Sequence, residues 1–314
     1  MQKRNRPAVD NAIASEHGMS RDGQPLSYNR APAADLAPWI ARLYVTKVDA
    51  PPDYRLDCGL FSDTAFIRIQ LAGNWTAETV TGPKQNTRAA LFMGPHSRRM
   101  PISVTGSFIS LGVSMRPGAC TAIKGPKIAD YVDQIVPMEV VGSSSDKLLA
   151  RFDPEASPEE WLEALEDAVR SRIESAGRAE PDPITQQFEA VTFSDPSLSI
   201  AAFARDCGVD KRTVERIVTR DFGMSPKKVL RRARALDMAS HLRGVADHEE
   251  AEDLALRYYD QSHLIREFSE LFGMSPSQFV AMPQPILTLA LESRQARRLE
   301  AIERLSPGEI RPWE

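Results

Sequence analysis

The chain has 314 residues, a formal net charge of −4, and 42% hydrophobic against 26% charged residues. That length fits one large or two ordinary domains with a real core, and no apolar run reaches the ~20 residues of a membrane span. The opening segment lacks the apolar stretch of a signal peptide, so a cytoplasmic protein with no membrane partner is expected. Three cysteines, Cys58, Cys120 and Cys207, lie far apart and read as reduced thiols, not as a disulfide frame or a zinc site.

Residues 1–30 are polar, rich in Arg and Ser, and are expected to be a disordered tail. From 31 the pattern changes. "FIRIQLAG" (66–73) alternates Ile67, Ile69 and Leu71 with Arg68 and Gln70, and "SFISLGVSM" (107–115) places Ile109, Leu111, Val113 and Met115 on one face. A period of two means half-buried strands, and the Gly/Pro clusters between them supply the turns. Residues 31–178 are expected to form a β-rich domain, a sandwich or cupin-like barrel, for sensing or dimerisation. "ASPEEWLEALEDAVRSRIESA" (156–176) closes it as a helix, capped by Ser157 with Pro158 at the first helical position. "GRAEPDP" (177–183) reads as a boundary. Helical patterning then runs to "MPQP" (282–285), and a C-terminal extension, 284–314, has one helical stretch near 291–304. The fold class expected is α+β, with the β-rich domain followed by an all-α domain over 184–283.

Charge is unevenly spread. Arg205 to Arg243 holds eleven Lys/Arg against five Asp/Glu, whereas Asp247 to Glu270 holds two Arg against eight acids. A local basic patch matters more to a polyanion than the total, because charges act over about a Debye length, ~8–10 Å.

The helical part contains an internal repeat. Laid over each other, 210–229 and 260–279 share seven of twenty residues, including FGMSP at 222–226 and 272–276. Asp210 and Asp260 suit the N-cap of a helix. Val214/Val218 and Leu264/Phe268 share an inward face. Gly223 and Gly273 end each helix in the left-handed conformation, while Ser225-Pro226 and Ser275-Pro276 start the next one. The first unit is preceded by a helix over 200–207 and a turn at Gly208-Val209, which together make a helix-turn-helix. Its second helix exposes Lys211, Arg212, Thr213, Glu215, Arg216, Thr219 and Arg220, a basic face suited to the DNA major groove.

These residues carry a resemblance. Residues 184–281 resemble the C-terminal DNA-binding domain of the AraC/XylS family of transcription regulators, most closely in "YDQSHLIREFSELFGMSPSQF" (259–279) and "GMSPKK" (223–228). Arg234 matches a recurrent Arg of the family's linking helix. The stretch 93–119 resembles, more weakly, a β-rich domain fused to some members. The resemblance implies two helix-turn-helix units joined by one helix, here 226–242. At ~1.5 Å per residue that helix spans about 25 Å, against ~34 Å for one turn of DNA. It also implies double-stranded promoter DNA and RNA polymerase as partners, and a small-molecule effector and a homodimer are open to such a chain.

Site residues follow from the same match. Arg212, Glu215 and Arg216 fall on base-contacting positions, and Gln261, Ser262, His263 and Arg266 on the exposed recognition positions of the second unit. Lys211, Thr213, Arg220, Lys227 and Lys228 are placed for phosphates, which position a protein without specifying a sequence. The bland reading of all of them is a solvated polar surface. Asp260 reads as a helix cap rather than a DNA contact. The second unit departs from the family: "LALRYYDQ" (254–261) lacks the usual Gly and runs short, and "ADHEEAED" (246–253) is acidic. The first unit is therefore expected to bind more strongly than the second.

Other chemistry is thinly represented. His96 has no second His beside it, and neither His241 nor His248 makes a metal cluster, so no metal or cofactor is expected. His96, Arg98, Arg99 and Arg116 suit either an acidic effector or plain loop solvation. Cys58 and Cys120 suit either an oxidant sensor or inert buried thiols. No nucleophile–base or ligand spacing supports an enzyme. The competing reading is a protein-interaction module built on the helical repeat, which the acidic second unit favours.

Overall fold

The computed structural model describes residues 26–246 and 261–303. The expected tail over 1–25, the acidic segment 247–253, the short turn 254–260 and the Asp260 cap lie outside the described residues.

Among the described residues eight antiparallel strands make one sheet: β1 (Leu26–Arg30), β2 (Ile40–Val48), β3 (Arg55–Leu60), β4 (Phe66–Thr79), β5 (Gly82–Asn86), β6 (Ala89–Met93), β7 (Met100–Met115) and β8 (Ile135–Pro137). Their order is β1-β2-β7-β4-β6-β8, with β3 added to β7 and β5 to β4. β1 begins inside the stretch expected to be tail, because Leu26–Arg30 pairs along its length with β2. β4 and β7 are long enough to run through both halves of the sheet. Their pairing shifts register between Gln70 and Asn74, where Gly73 adopts φ +103°. A Cβ at Gly73 would meet the Phe108 Cβ at 2.4 Å, so only glycine lets the two strands pass this closely.

Both faces of the sheet are covered. Ile69, Leu71, Leu111, Val113 and Met115 pack against α3 (Pro158–Ser175), whose Trp161, Leu162, Leu165 and Ile173 complete one core. Ser157 and Glu160 form a reciprocal cap at the start of α3. Phe66, Trp75, Leu91, Val104 and Phe108 point the other way, into a second core. Arg68 and Gln70, the polar half of the alternation, are therefore buried as well, at 4% and 1% exposure. Alternation alone would have left them in water.

Two short helices, α1 (Ala119–Ala122) and α2 (Ser145–Leu149), flank the sheet. The rest is helical: α4 (Pro183–Ser194), α5 (Ile200–Asp206), α6 (Lys211–Phe222), α7 (Pro226–Leu242), α8 (Gln261–Phe272), α9 (Pro276–Ala281) and α10 (Pro285–Ala301). Phe188, Phe203, Val214, Val218 and Phe222 form the core of the first helical unit. Leu236, Phe268, Phe272, Phe279 and Leu291 form that of the second.

α10 belongs to the C-terminal extension, whose sequence pattern indicated only a helix near 291–304. It lies across the junction. Ile286 and Leu289 enter the second sheet core, while Leu287 and Leu291 enter the helical core. Arg294 reaches Asp237 of α7 and Asp63 of the β3–β4 loop, and Arg297 reaches Asp63 and Glu189 of α4. Burial pushes the Asp63 carboxyl up, but Arg297, Arg294 and Arg232 outweigh it and hold the group below the usual carboxylate range.

Candidate nucleic-acid interface

α6 forms where the sequence places a start and a stop. Asp210 accepts from the Thr213 N–H at 2.8 Å, and Gly223 closes the helix at φ +73°. Val214, Ile217, Val218 and Phe222 are buried, and the opposite face is open. Lys211, Arg212, Glu215, Arg216 and Thr219 are exposed, and Thr213 is half-buried. Lys211 and Glu215 make an exposed ion pair at 3.6 Å, worth little in water and readily exchanged for a phosphate.

α5, the turn at Gly208 (φ +67°) and α6 make the first helix-turn-helix. Lys227 and Lys228 are exposed at the start of α7, directly after the FGMSP turn. Arg220 behaves differently. Its guanidinium holds Asp221 at 2.6 Å and Asp182 at 3.3 Å, so it braces α6 against α4 rather than standing on the open face.

α8 repeats α6 in register. Leu264, Phe268 and Phe272 are buried where Val214, Val218 and Phe222 are. Ser262, His263, Ile265 and Arg266 are exposed where Arg212, Thr213, Glu215 and Arg216 stand. Gln261 opens the helix, and its side chain lies outside the described residues. Ile265, 45% exposed, is a surface position that residue-type reasoning passed over, since it sought polar groups. The repeat register was the available signal: Ile265 occupies the place of Glu215, and an apolar side chain there suits a thymine methyl.

The second FGMSP turn is capped more fully than the first. Ser275 accepts from the Gln278 N–H and Gln278 returns to the Ser275 N–H. Ser225 occupies the same position without a side-chain cap bond, and Lys228, which has no acceptor, cannot return the reciprocal bond that Gln278 makes.

α7 holds the two units at a fixed separation. Arg234 donates to Glu267 of α8 at 2.8 and 3.1 Å, and to the Pro196 carbonyl before α5 at 3.0 Å. Arg231 adds ion pairs to Glu267 and Glu270. Glu267 is thereby neutralised beneath the exposed face of α8.

Residues 203–282 match the family model described as a helix-turn-helix domain. The chain carries an AraC-type helix-turn-helix domain. By that domain it is a DNA-binding transcription regulator. Residues 28–137 match a second model, a domain of unknown function (DUF6597). No curated protein matches the chain. Among solved structures it is similar to ToxT from Vibrio cholerae, at 9% identity over 76% of this chain and 97% of that one, with a TM-score of 0.44. An unsaturated-fatty-acid-bound ToxT from the same organism gives 11% identity over 76% and 95%, with a TM-score of 0.42. The AraC-like transcriptional activator CuxR gives 11% over 68% and 94%, with a TM-score of 0.26.

The remaining candidates fall outside this interface. His96 is fully buried: its Nδ1 accepts from the Ser62 N–H at 2.9 Å, and its carbonyl accepts from Arg232 at 2.9 Å. Among the described residues no group of three His, Cys, Asp or Glu is placed to hold a metal ion. Arg99 reaches Gln284, and Arg116 reaches Glu189 and the Ala37 carbonyl. His96, Arg99 and Arg116 thus do not converge on one pocket. Burial pushes the Cys58 and Cys120 thiols up to about 12, which makes them poor nucleophiles and poor oxidant sensors. No helix among the described residues is long and apolar enough to cross a membrane.

A cavity of about 100 Å³ lies between the second sheet core and α10. Tyr44, Arg68, Trp75 and Ser110 line the sheet side, and Ile286 and Leu289 line the helix side.

Proposed function

We propose that the chain reads promoter DNA with both units, α6 and α8 entering successive major grooves on one face of the duplex. The supporting observation is the structural repeat. Positions 212, 215 and 216 are open on α6 as 262, 265 and 266 are on α8, Val214, Val218 and Phe222 are buried as Leu264, Phe268 and Phe272 are, and α7 ties the two together through Arg234 and Glu267. Arg212 and Arg216 pair with guanine edges, Glu215 accepts from cytosine, and Ser262, His263, Ile265 and Arg266 form the weaker second contact. Lys211, Lys227 and Lys228 hold phosphates. Arg220 is left out of that set because of its ion pairs.

In this reading the β domain is the sensor. A ligand in the cavity meets Ile286 and Leu289 of α10, and the same helix is bonded to α7 through Arg294 and Asp237. Contact with RNA polymerase and pairing into a homodimer complete the reading on family resemblance alone.

The test is capture of genomic fragments by the purified chain, followed by sequencing. One enriched motif of about two helical turns supports the reading, with its half nearer the first unit more sharply defined. Affinity should fall steeply with salt, as phosphate contacts require. No recovery at low salt would leave the helical repeat as a protein-interaction module instead.

A further inference from the structure

Among the described residues Arg68 has no ion-pair partner. It sits near the start of β4, paired with β6 on one side and β7 on the other, and is 4% exposed. Its guanidinium carbon stacks 3.5 Å from the centre of the Trp75 ring. Its Nε and Nη2 are buried with no hydrogen-bond partner, and the same holds for Trp75 Nε1. By contrast Arg294 and Arg297, which line the same cavity, are committed to Asp237, Asp63 and Glu189. Asp63, the carboxylate on that wall, is held by these two arginines rather than by Arg68.

An uncompensated guanidinium in an apolar core is costly. Burial accordingly pulls the Arg68 pKa below the usual guanidinium value. Stacking on Trp75 offsets part of that cost. The orphaned groups are all donors, so their complement is an anionic acceptor. A guanidinium fork matches the two oxygens of a carboxylate. Around it the cavity is a mixture of the Tyr44 ring, the hydroxyls of Ser110 and Ser114, and apolar side chains at Leu60, Ile286 and Leu289. Gly112 makes room for this: a Cβ there would meet the Tyr44 Oη at 2.6 Å. The volume suits one ring or a short chain.

We infer that this cavity takes a small monocarboxylate with an apolar body, its carboxylate anchored on Arg68 beside Trp75 and its body lying against α10. The inference rests on the sensing role proposed for the cavity and adds the ligand class and the anchoring residue.

The test is calorimetric titration of the full chain with phenylacetate and hexanoate, their neutral amides, and inorganic phosphate. At least one acid should bind at least 10-fold more tightly than its amide, and phosphate should not bind, since it lacks an apolar body. In Arg68→Met the preference for acid over amide should vanish, and in Arg68→Lys it should fall but persist. The ligand-free Arg68→Met protein should melt no lower than the parent, since a buried unpaired charge has been removed. Amides binding as well as acids would overturn the carboxylate assignment while leaving cavity sensing intact. Failure of all four organic probes would overturn both. An Arg68→Met protein that melts lower yet keeps the acid preference would make Arg68 structural and sink the anchor.

Discussion

Arg294 of α10 donates to Asp237 of α7 at 2.5 Å, and both side chains are sealed from solvent at 3% and 2% exposure. Arg298 also leans on Asp237, at 3.5 Å. One carboxylate thus holds the C-terminal helix onto the helix that joins the two helical units. Buried ion pairs are costly to break on one side, because the remaining charge stays buried alone.

Asp237→Asn should therefore destabilise the chain by about 3–5 kcal/mol, the range for breaking a buried pair. Denaturant unfolding of the full chain checks this. Replacing both partners, Arg294→Met with Asp237→Leu, should recover part of the loss, the remainder belonging to Arg298, which still loses its contact with Asp237. A double variant as unstable as Asp237→Asn would show that geometry, not charge, makes the contact.

The two FGMSP turns have the same backbone but different surroundings. Gly223 (φ +73°) packs on the β domain, where an added Cβ would meet Val132 Cγ2 at 2.8 Å and Ile128 Cγ2 at 3.0 Å. Gly273 (φ +69°) faces open space. Alanine at either site incurs the left-handed penalty of about 1–2 kcal/mol. At Gly223 it must also displace two side chains, which adds about 1–3 kcal/mol. Gly223→Ala should thus lower thermal stability more than Gly273→Ala, and equal losses would mean the domain contact yields freely.

Much of this was legible from spacing alone. FGMSP repeated at a fixed interval located the ends of α6 and α8, and the linker helix over 226–242 matches Pro226–Leu242. The strand faces of 66–73 and 107–115 were readable because a period of two survives in a single strand. What tertiary context decides was not readable. Arg68 and Gln70 are polar, so alternation points them to solvent, yet a second core covers that face. The burial of Arg294, Arg297 and Arg298 leaves no local sign in the sequence, because Asp63, Glu189 and Asp237, which neutralise them, come from three distant segments. Arg220 read as a phosphate contact because Asp182, 38 residues away in sequence, gives no local sign of its presence.

His96 gives a pH signature. Burial, the largest influence, lowers its pKa from 6.5 to about 4; Asp133 opposes the shift and Arg232 adds to it. The unfolded chain binds the proton first, so the contribution to stability is complete above pH 6.5. It is lost as pH falls from 6.5 towards 4, by up to about 3 kcal/mol. Unfolding free energies across that window should show the slope, and His96→Gln should flatten it. An unchanged slope in the variant would assign the acid sensitivity to other groups.

The two helices proposed to read DNA differ in charge, and the difference should be measurable. α6 exposes Lys211, Arg212 and Arg216 with a single acid, Glu215, whereas α8 shows Arg266 beside Ile265, Ser262 and His263. A bidentate arginine–guanine contact is worth about 1–3 kcal/mol of discrimination. Arg212→Ala and Arg216→Ala should each weaken binding to the selected operator by that amount and relax preference at one base pair. Arg266→Ala should weaken it less. Lys227→Ala should weaken all sequences alike and reduce the slope of log affinity against log salt by about one, as loss of one phosphate contact requires. Gel-shift titrations at several salt concentrations separate these effects. If Arg266→Ala weakens binding more than Arg216→Ala, the second unit is the dominant reader, and the charge contrast between α6 and α8 does not set the order.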